Sequence, residues 1–485
     1  MAKTQKVVIA NSIGRDYEGF TYIHFPSRWT AKMGKAQAFC FYPYELAYLS
    51  SLLKRDTKHK VKMVDGNLLG LNPDEYIDLI SKEKPDWLIM ETSSPVYKYD
   101  LDVAQAMKKK FGTKVIFCGQ HPTAFPEEVL ADGVDYVCLG EYEYTVLDIL
   151  NQKKGKVSGL YPNGYRQLLD VNDLPFPEDD DISRMDYDHI GGCDYKEIEF
   201  FASRGCPFAC SYCVAGNLYY IRRNWRPRKV ESIIQEIKYL RKKYPQMEGI
   251  FFDEEDHVVN KDFIMKLTQA IIKNKLNDLH YDAMCGYINM DREMLTAMKK
   301  AGYYKLRIGI ETGSDKVAKA ALGKKVGRKK LLEVLEIAKD LDIKMYGTFT
   351  LGAKGSTKKE DFKTLKLMKE LSDKDLLFDY QRSISTPLPG TAYYKWAKEN
   401  NRLLSQNLDE YDGCHAIVKL PNYSQKDLMK IYDESGRIFI KSQLKKRKWE
   451  LLTSSIRQVG LFSTVSKAIS VAKFAYFPDK PFQIE

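Results

Sequence analysis

The chain has 485 residues, 44% of them hydrophobic and 29% charged, with a formal net charge of +11 at neutral pH. That length allows two or three packed domains of ordinary globular composition. It holds no run near the ~20 uninterrupted apolar residues of a membrane span, and Met1-Ala2-Lys3-Thr4-Gln5-Lys6 leads into an apolar strand without a signal-peptide pattern, so a cytoplasmic protein is expected. Much of the positive excess is Lys on amphipathic helices, as at Lys108-Lys109-Lys110 and Lys358-Lys359. Such runs read as solvated faces, and no nucleic-acid partner is expected.

Apolar runs at 6–10, 60–64, 87–91, 114–118 and 136–139 alternate with amphipathic stretches near 42–54, 73–82, 99–111, 126–131 and 145–151. Five strands with helical crossovers predict an α/β fold over residues 1–150, an open, doubly wound parallel sheet of Rossmann-like type. Such sheets take ligands beyond the carboxyl ends of their strands. Those ends carry Asn11-Ser12, Asp65-Gly66-Asn67, Glu91-Thr92-Ser93-Ser94, Cys118-Gly119-Gln120-His121 and Leu139-Gly140-Glu141. One large planar ligand across them would suit these residues. Loops that merely turn use the same residue types, and spacing alone does not separate the two.

Residues 151–192 change texture. Val171-Asn172-Asp173-Leu174-Pro175-Phe176-Pro177 and the acidic run 178–181 read as an extended, proline-stiffened connector. Alternation then resumes, with strands expected at 198–202, 249–252, 281–285, 305–309, 344–350 and 379–384 and a helix in each gap. Six βα units predict a partial (β/α)6 relative of the parallel barrel over 193–398, with its site at the C-terminal strand ends.

The first gap holds Arg204-Gly205-Cys206-Pro207-Phe208-Ala209-Cys210-Ser211-Tyr212-Cys213. A cubane iron–sulfur cluster wants a thiolate on each of four irons. Three cysteines at this spacing hold three irons and leave the fourth open to a small molecule. A zinc site would ask for a fourth Cys or His ligand, and no second Cys-x2-Cys or His pair occurs. Nine cysteines, an odd and scattered count, do not form a disulfide framework; most of the other six read as small buried hydrophobes. After the second strand, Asp253-Glu254-Glu255-Asp256 offers carboxylates to a cationic amino group, or else an acidic helix start. Arg226-Pro227-Arg228 could meet a carboxylate, although exposed arginines usually bind nothing specific.

Residues 399–485 leave the barrel pattern and are expected to form a mainly helical region. One helix is expected over 423–443. An amphipathic pair is expected over 449–475, interrupted by Arg457, Lys467 and Lys473. That pair either packs on the parent domain or docks on an anionic membrane surface.

Cys206, Cys210 and Cys213 with Tyr212 resemble the signature of the radical S-adenosylmethionine (SAM) superfamily. The resemblance implies a [4Fe–4S] cluster whose open iron takes the amino and carboxyl groups of SAM, and one-electron cleavage to a 5′-deoxyadenosyl radical. Pro43-Tyr44-Glu45-Leu46-Ala47-Tyr48-Leu49, Gly119-Gln120-His121-Pro122-Thr123 and Gly140-Glu141-Tyr142-Glu143 resemble the cobalamin-binding domain that precedes many such barrels. Asp65-Gly66-Asn67-Leu68-Leu69-Gly70 lacks the cobalt-ligating His of Asp-x-His-x-x-Gly domains, as radical SAM fusions usually do. In this resemblance Asn67, Ser93, Gly119, His121 and Glu141 lie near the corrin. Tyr212, Asp253, Glu255, Glu311, Ser314 and Gly347 contact SAM, although the usual Gly-Gly-Glu is absent at 253–255.

The resemblance is to the type that includes magnesium-protoporphyrin cyclase and cobalamin-dependent methyltransferases. It implies methylation of an unactivated carbon through methylcobalamin, with the helical C-terminal region 399–485 capping the barrel and shaping the substrate pocket. Cyclisation or oxidative rearrangement with the same cofactors remains an alternative. Methylthiolating tRNA modification ranks below both, because Cys40, Cys118 and Cys138 are dispersed, and a non-enzymatic cobalamin- or metal-binding regulator is the remaining class. A small-molecule or lipid-like substrate is expected, with an electron donor of flavodoxin or ferredoxin type and peripheral membrane contact left open.

Overall fold

The computed structural model describes residues 4–35, 39–187, 193–220, 223–323, 327–459, 471, 475 and 476, with the backbone alone for 448–459. β1 (Lys6–Ala10) leads into a hairpin, β2 (Tyr22–Phe25) and β3 (Trp29–Lys32). There follow α1 (Tyr44–Asp56), β4 (Lys60–Val64), α2 (Pro73–Ser81), β5 (Trp87–Glu91), α3 (Tyr97–Phe111), β6 (Lys114–Cys118), α4 (Gln120–Ala124), α5 (Pro126–Ala131), β7 (Tyr136–Val137) and α6 (Glu143–Leu150). The strands form one parallel sheet in the order β4-β1-β5-β6-β7. Every residue of central β5 is buried, as a parallel strand covered on both faces must be. Asn72 opens α2 with a capping box to Glu75. The hairpin and α4 were not expected from the sequence pattern.

The second half begins with β8 (Glu197–Phe200), β9 (Ser203–Arg204) and β10 (Arg226–Pro227). It continues with α7 (Val230–Lys243), β11 (Gly249–Phe252), α8 (Lys261–Lys273), β12 (His280–Cys285), α9 (Arg292–Lys300), β13 (Tyr303–Glu311), α10 (Asp315–Val317), α11 (Arg328–Asp340), β14 (Lys344–Leu351), α12 (Lys358–Asp373), β15 (Asp379–Ile384), α13 (Ala392–Glu399) and α14 (Gln425–Val459). Six strands form an open parallel sheet, β8-β11-β12-β13-β14-β15. Side chains alternate across it: Ile198, Phe200, Leu306, Ile308 and Ile310 join the hydrophobic core, while Glu199, Asp282 and Arg307 make the inner face polar.

α14 covers the β15 side, where the Tyr380 hydroxyl donates to the Ser435 carbonyl and Arg382 Nη1 to that of Tyr432, both at 3.1 Å. The expected tail is helical only from Gln425, with non-helical backbone at Arg447. Before it, 400–424 is irregular apart from a 3-10 turn at Leu408–Glu410. The amphipathic pair expected over 449–475 lies largely outside the described residues. Among those residues no helix is long and apolar enough to cross a membrane.

The connector acids are bonded rather than free in solvent. Lys54 reaches Glu178 at 2.6 Å and Asp181 at 2.7 Å, and Lys62 reaches Asp181 at 2.9 Å. Buried Arg184 pairs with Glu236 of α7 at 2.6 Å. The carboxyl ends of the two sheets meet along one seam. There the Tyr44 ring stacks on Phe201 at 3.9 Å and its hydroxyl accepts the Phe201 N–H at 2.8 Å.

Candidate functional site

The cysteine loop hangs from the β9–β10 pair, in which Arg204 lies opposite Arg226 and Ser203 opposite Pro227. Gly205 starts it at φ +92°, and a Cβ there would lie 2.1 Å from Asn224 Oδ1; only glycine fits both the conformation and the space. Asn217 Nδ2 donates to the carbonyls of Cys210 and Cys213 at 3.1 and 2.7 Å. The Ser211 N–H bonds the Ala321 carbonyl at 2.7 Å, and the Ser211 carbonyl accepts the Tyr393 N–H at 2.8 Å. After Cys213 the chain runs into a π-helical turn, Ala215–Tyr219, a geometry found often at functional sites. Cys206, Cys210 and Cys213 are half-buried on this fixed loop, and none of the three is in a disulfide. Burial pushes the Cys206 and Cys213 thiols up, so they stay protonated until a metal displaces the protons.

Carboxylates flank the loop. Glu255 accepts the Gly205 N–H and the Tyr220 hydroxyl, both at 3.1 Å. Asp253 pairs with Arg28 of the hairpin turn at 2.7 Å. On β13 a bulge shifts the register between Gly309 and Glu311, and Glu311 takes φ +67°. A non-glycine residue held there is strained, as is common where a side chain is aimed at a ligand. Its carboxylate accepts the hydroxyls of Thr348 at 2.9 Å and Thr350 at 2.6 Å. Tyr212 lies close enough for Glu311, after burial, to help push its hydroxyl well up; it packs on Val317, Ala318, Ala321, Leu322 and Ala353.

Two residues expected at SAM are engaged elsewhere. Buried Ser314 caps α10 by accepting the Val317 N–H and donates its hydroxyl to Glu360. A Cβ on Gly347 would face Ile310 and Leu377 at 3.1 Å, which puts it against the outer core; its neighbours Thr348 and Thr350 face Glu311 instead.

The residues expected near the corrin divide likewise. Asn67 gives its amide N–H groups to the carbonyls of Ile13 at 3.2 Å and Tyr22 at 2.9 Å, bracing the hairpin. Gly119, at φ +102°, packs so tightly that a Cβ would lie 2.6 Å from the Thr92 carbonyl oxygen. Glu141 is held by Arg226 at 2.8 and 2.9 Å and by Arg204 at 3.4 Å. Arg226 thus meets a carboxylate, one of the two readings its sequence leaves open, and so does Arg228, which pairs with Glu236 at 2.6 Å. Ser93 meets His24 of the hairpin at 3.4 Å. His121 stacks on Tyr97 at 3.9 Å, with Nδ1 3.0 Å from the Ser94 hydroxyl.

Sequence reasoning missed the hairpin's own contributions, His24 and Arg28; their signal is a short alternation, Tyr22-Ile23-His24-Phe25, broken by Pro26. Burial pushes the His24 and His121 imidazoles down to about 3, so both are neutral. It also missed the bond at 2.5 Å from the Tyr219 hydroxyl, just after the cysteine loop, to Glu91 at the end of β5.

His24 Nε2, Nε and Nη2 of Arg28, and the hydroxyls of Ser211 and Ser385 are buried around these facing strand ends without a hydrogen-bond partner. Buried polar atoms are ordinarily paired. Such a collection fits a face that receives polar ligands beside the three cysteine thiols. The other cysteines do not make a second cluster: Cys40 and Cys118 are buried and donate to the Asn67 and Met90 carbonyls.

Residues 201–368 match the model of the radical SAM superfamily, and residues 34–150 match that of the B12 binding domain. The chain is 27% identical over 408 residues to an uncharacterized methyltransferase of Pyrococcus horikoshii, covering 80% of this chain and 85% of that protein. It is 22% identical over 386 residues to the anaerobic magnesium-protoporphyrin IX monomethyl ester cyclase of Synechocystis, covering 75% of this chain and 74% of that one. Its fold is similar to that of the cobalamin-dependent S-adenosylmethionine radical enzyme OxsB, solved with aqua-cobalamin and S-adenosylmethionine bound. The TM-score is 0.69 at 15% identity, over 96% of this chain and 70% of that one.

Proposed function

Because the chain belongs to the radical SAM enzymes that carry a cobalamin-binding domain, we propose that it methylates an unactivated carbon of a small molecule. The family's cofactors are a [4Fe–4S] cluster, SAM and cobalamin; together they supply one-electron cleavage of SAM and carriage of a methyl group. In this reading Cys206, Cys210 and Cys213 hold the cluster. Asp253 and Glu255 accept the ammonium of SAM, and Tyr212 and Glu311 lie along its adenosine. Ser93, His121 and the backbone around Gly119 border the corrin from the N-terminal sheet. The packed seam excludes water, which strengthens each of these charge contacts. The observation that carries the reading is the bond between Tyr219 and Glu91, which joins the end of the cysteine loop directly to the carboxyl end of the N-terminal sheet.

Anaerobic reconstitution with iron, sulfide and cobalamin tests it. About four irons and one cobalt per chain, with 5′-deoxyadenosine formed from SAM under reduction, are the expected outcome; a loaded protein that never cleaves SAM sinks it. The cyclase similarity keeps ring formation as a second reading. Product mass decides, since methylation adds a carbon and two hydrogens and cyclisation adds no carbon. A flavodoxin- or ferredoxin-like electron donor belongs to the same proposal; a lipid-like substrate, with peripheral membrane contact through the C-terminal region, is the alternative to a soluble small molecule.

A further inference from the structure

We propose that Arg28 binds the methionine carboxylate of SAM, reaching from the N-terminal hairpin into the site on the second sheet. The assignment rests on the radical SAM reading and adds an anchor from the other half of the chain.

Arg28 occupies the β2–β3 turn, and its side chain is 16% exposed. Nη1 donates to Asp253 Oδ1 at 2.7 Å. The guanidinium lies 4.9 Å from the Phe25 ring centre and 5.9 Å from that of Phe201. Nε and Nη2 are both buried and have no acceptor. These two N–H groups form the side-on edge of the guanidinium, whose spacing matches the two oxygens of a carboxylate. Leaving that edge desolvated and unpaired is costly, so an acceptor belongs there.

The place is also right. The partner of Arg28, Asp253, stands two residues before Glu255, which accepts the N–H of Gly205 at the start of the cysteine loop at 3.1 Å, and Phe201 lies just before that loop, so the guanidinium lies beside the cysteine loop. Asp253 and Glu255 stand in the same neighbourhood with the opposite sign. A free amino acid carries both an ammonium and a carboxylate. One arginine with an open edge among several carboxylates is the complement of that zwitterion, and the methionine part of SAM is such a group.

Equilibrium binding of SAM and of its decarboxylated analogue to the cluster-reconstituted, substrate-free full chain tests this, read by the change in the reduced cluster's electron paramagnetic resonance signal. The wild type is expected to prefer SAM. Arg28→Gln should weaken SAM about tenfold to a hundredfold, leave the analogue nearly unchanged and so erase the preference. Arg28→Lys, which keeps a charge beside Asp253 without the fork, should restore part of it. Unchanged SAM binding by Arg28→Gln overturns the assignment. So does equal weakening of both ligands, which would mean that Arg28 acts only by holding Asp253. A wild type that loads its cluster and binds neither ligand overturns the radical SAM reading itself.

Discussion

Glu311 and Thr350 meet at 2.6 Å across a bulge in β13, and the backbone of Glu311 is left-handed at φ +67° to allow it. Glycine at this position relieves strain of about 1–2 kcal/mol and removes two hydroxyl hydrogen bonds worth about 1 kcal/mol each. Glu311→Gly should therefore unfold within about 1 kcal/mol of wild type in denaturant titrations. Formation of 5′-deoxyadenosine should fall about tenfold or more. Stability and SAM cleavage falling together would show that the carboxylate is structural.

The three thiols lie on a loop whose shape is set by Gly205, Asn217 and backbone bonds, not by the cysteine side chains. Alanine at Cys206, Cys210 or Cys213 should leave the circular dichroism spectrum intact and remove most of the iron after anaerobic reconstitution. Exposed Cys414 is the control, and its alanine variant should load about four irons. Full loading in any one of the three variants would remove that cysteine from the ligand set.

Glu141 separates two views of the N-terminal strand ends. It is bonded to Arg226 and Arg204 across the seam, so Glu141→Ala leaves a largely buried guanidinium short of its partner and should cost about 3 kcal/mol. Cobalt content per folded chain should not change. Loss of cobalt with full stability would return Glu141 to the corrin.

Asp100 is fully buried, and burial pushes its carboxyl up to about 7 against hydrogen bonds from the Ser12 hydroxyl at 2.9 Å and the Ile13 N–H at 3.2 Å. An unfolded aspartate titrates near about 3.9. Between these values the folded chain keeps a proton that the unfolded chain has lost, so stability falls as pH rises from about 4 to about 7 and then levels off. Asp100→Asn cannot titrate. Denaturation of both proteins across that range should show the gap shifting toward the variant as pH rises; parallel curves would contradict the shift.

The first parallel sheet was legible because its strands are apolar runs between amphipathic helices, a pattern that burial on both faces imposes; the second was legible from its regular alternation of strand and helix, although its strands carry polar residues on the inner face. The cysteine spacing was legible because chemistry, not packing, sets it. The hairpin was not. Its strands are four residues each, and its order comes from distant partners: His24 with Ser93, Arg28 with Asp253, and Lys32 with Asp409 at 3.2 Å. Which carboxylate Arg226 would meet was not legible, because Glu141 lies 85 residues away. Gly119 and Gly347 were expected beside cofactors, and a Cβ on either would meet protein, the Thr92 carbonyl oxygen at 2.6 Å and the Ile310 and Leu377 side chains at 3.1 Å. A missing Cβ says that something is near, and only the fold says what.

An open sheet of six strands keeps two edges that a closed barrel lacks. The 3-10 turn Arg184–Tyr187 packs against β8, and α14 lies along β15. Unshielded, either edge would offer unpaired amides and carbonyls to a second chain, the usual route to aggregation. α14 thus shields the β15 edge from pairing with a second chain. How far the C-terminus can be trimmed is then set by self-association before it is set by turnover.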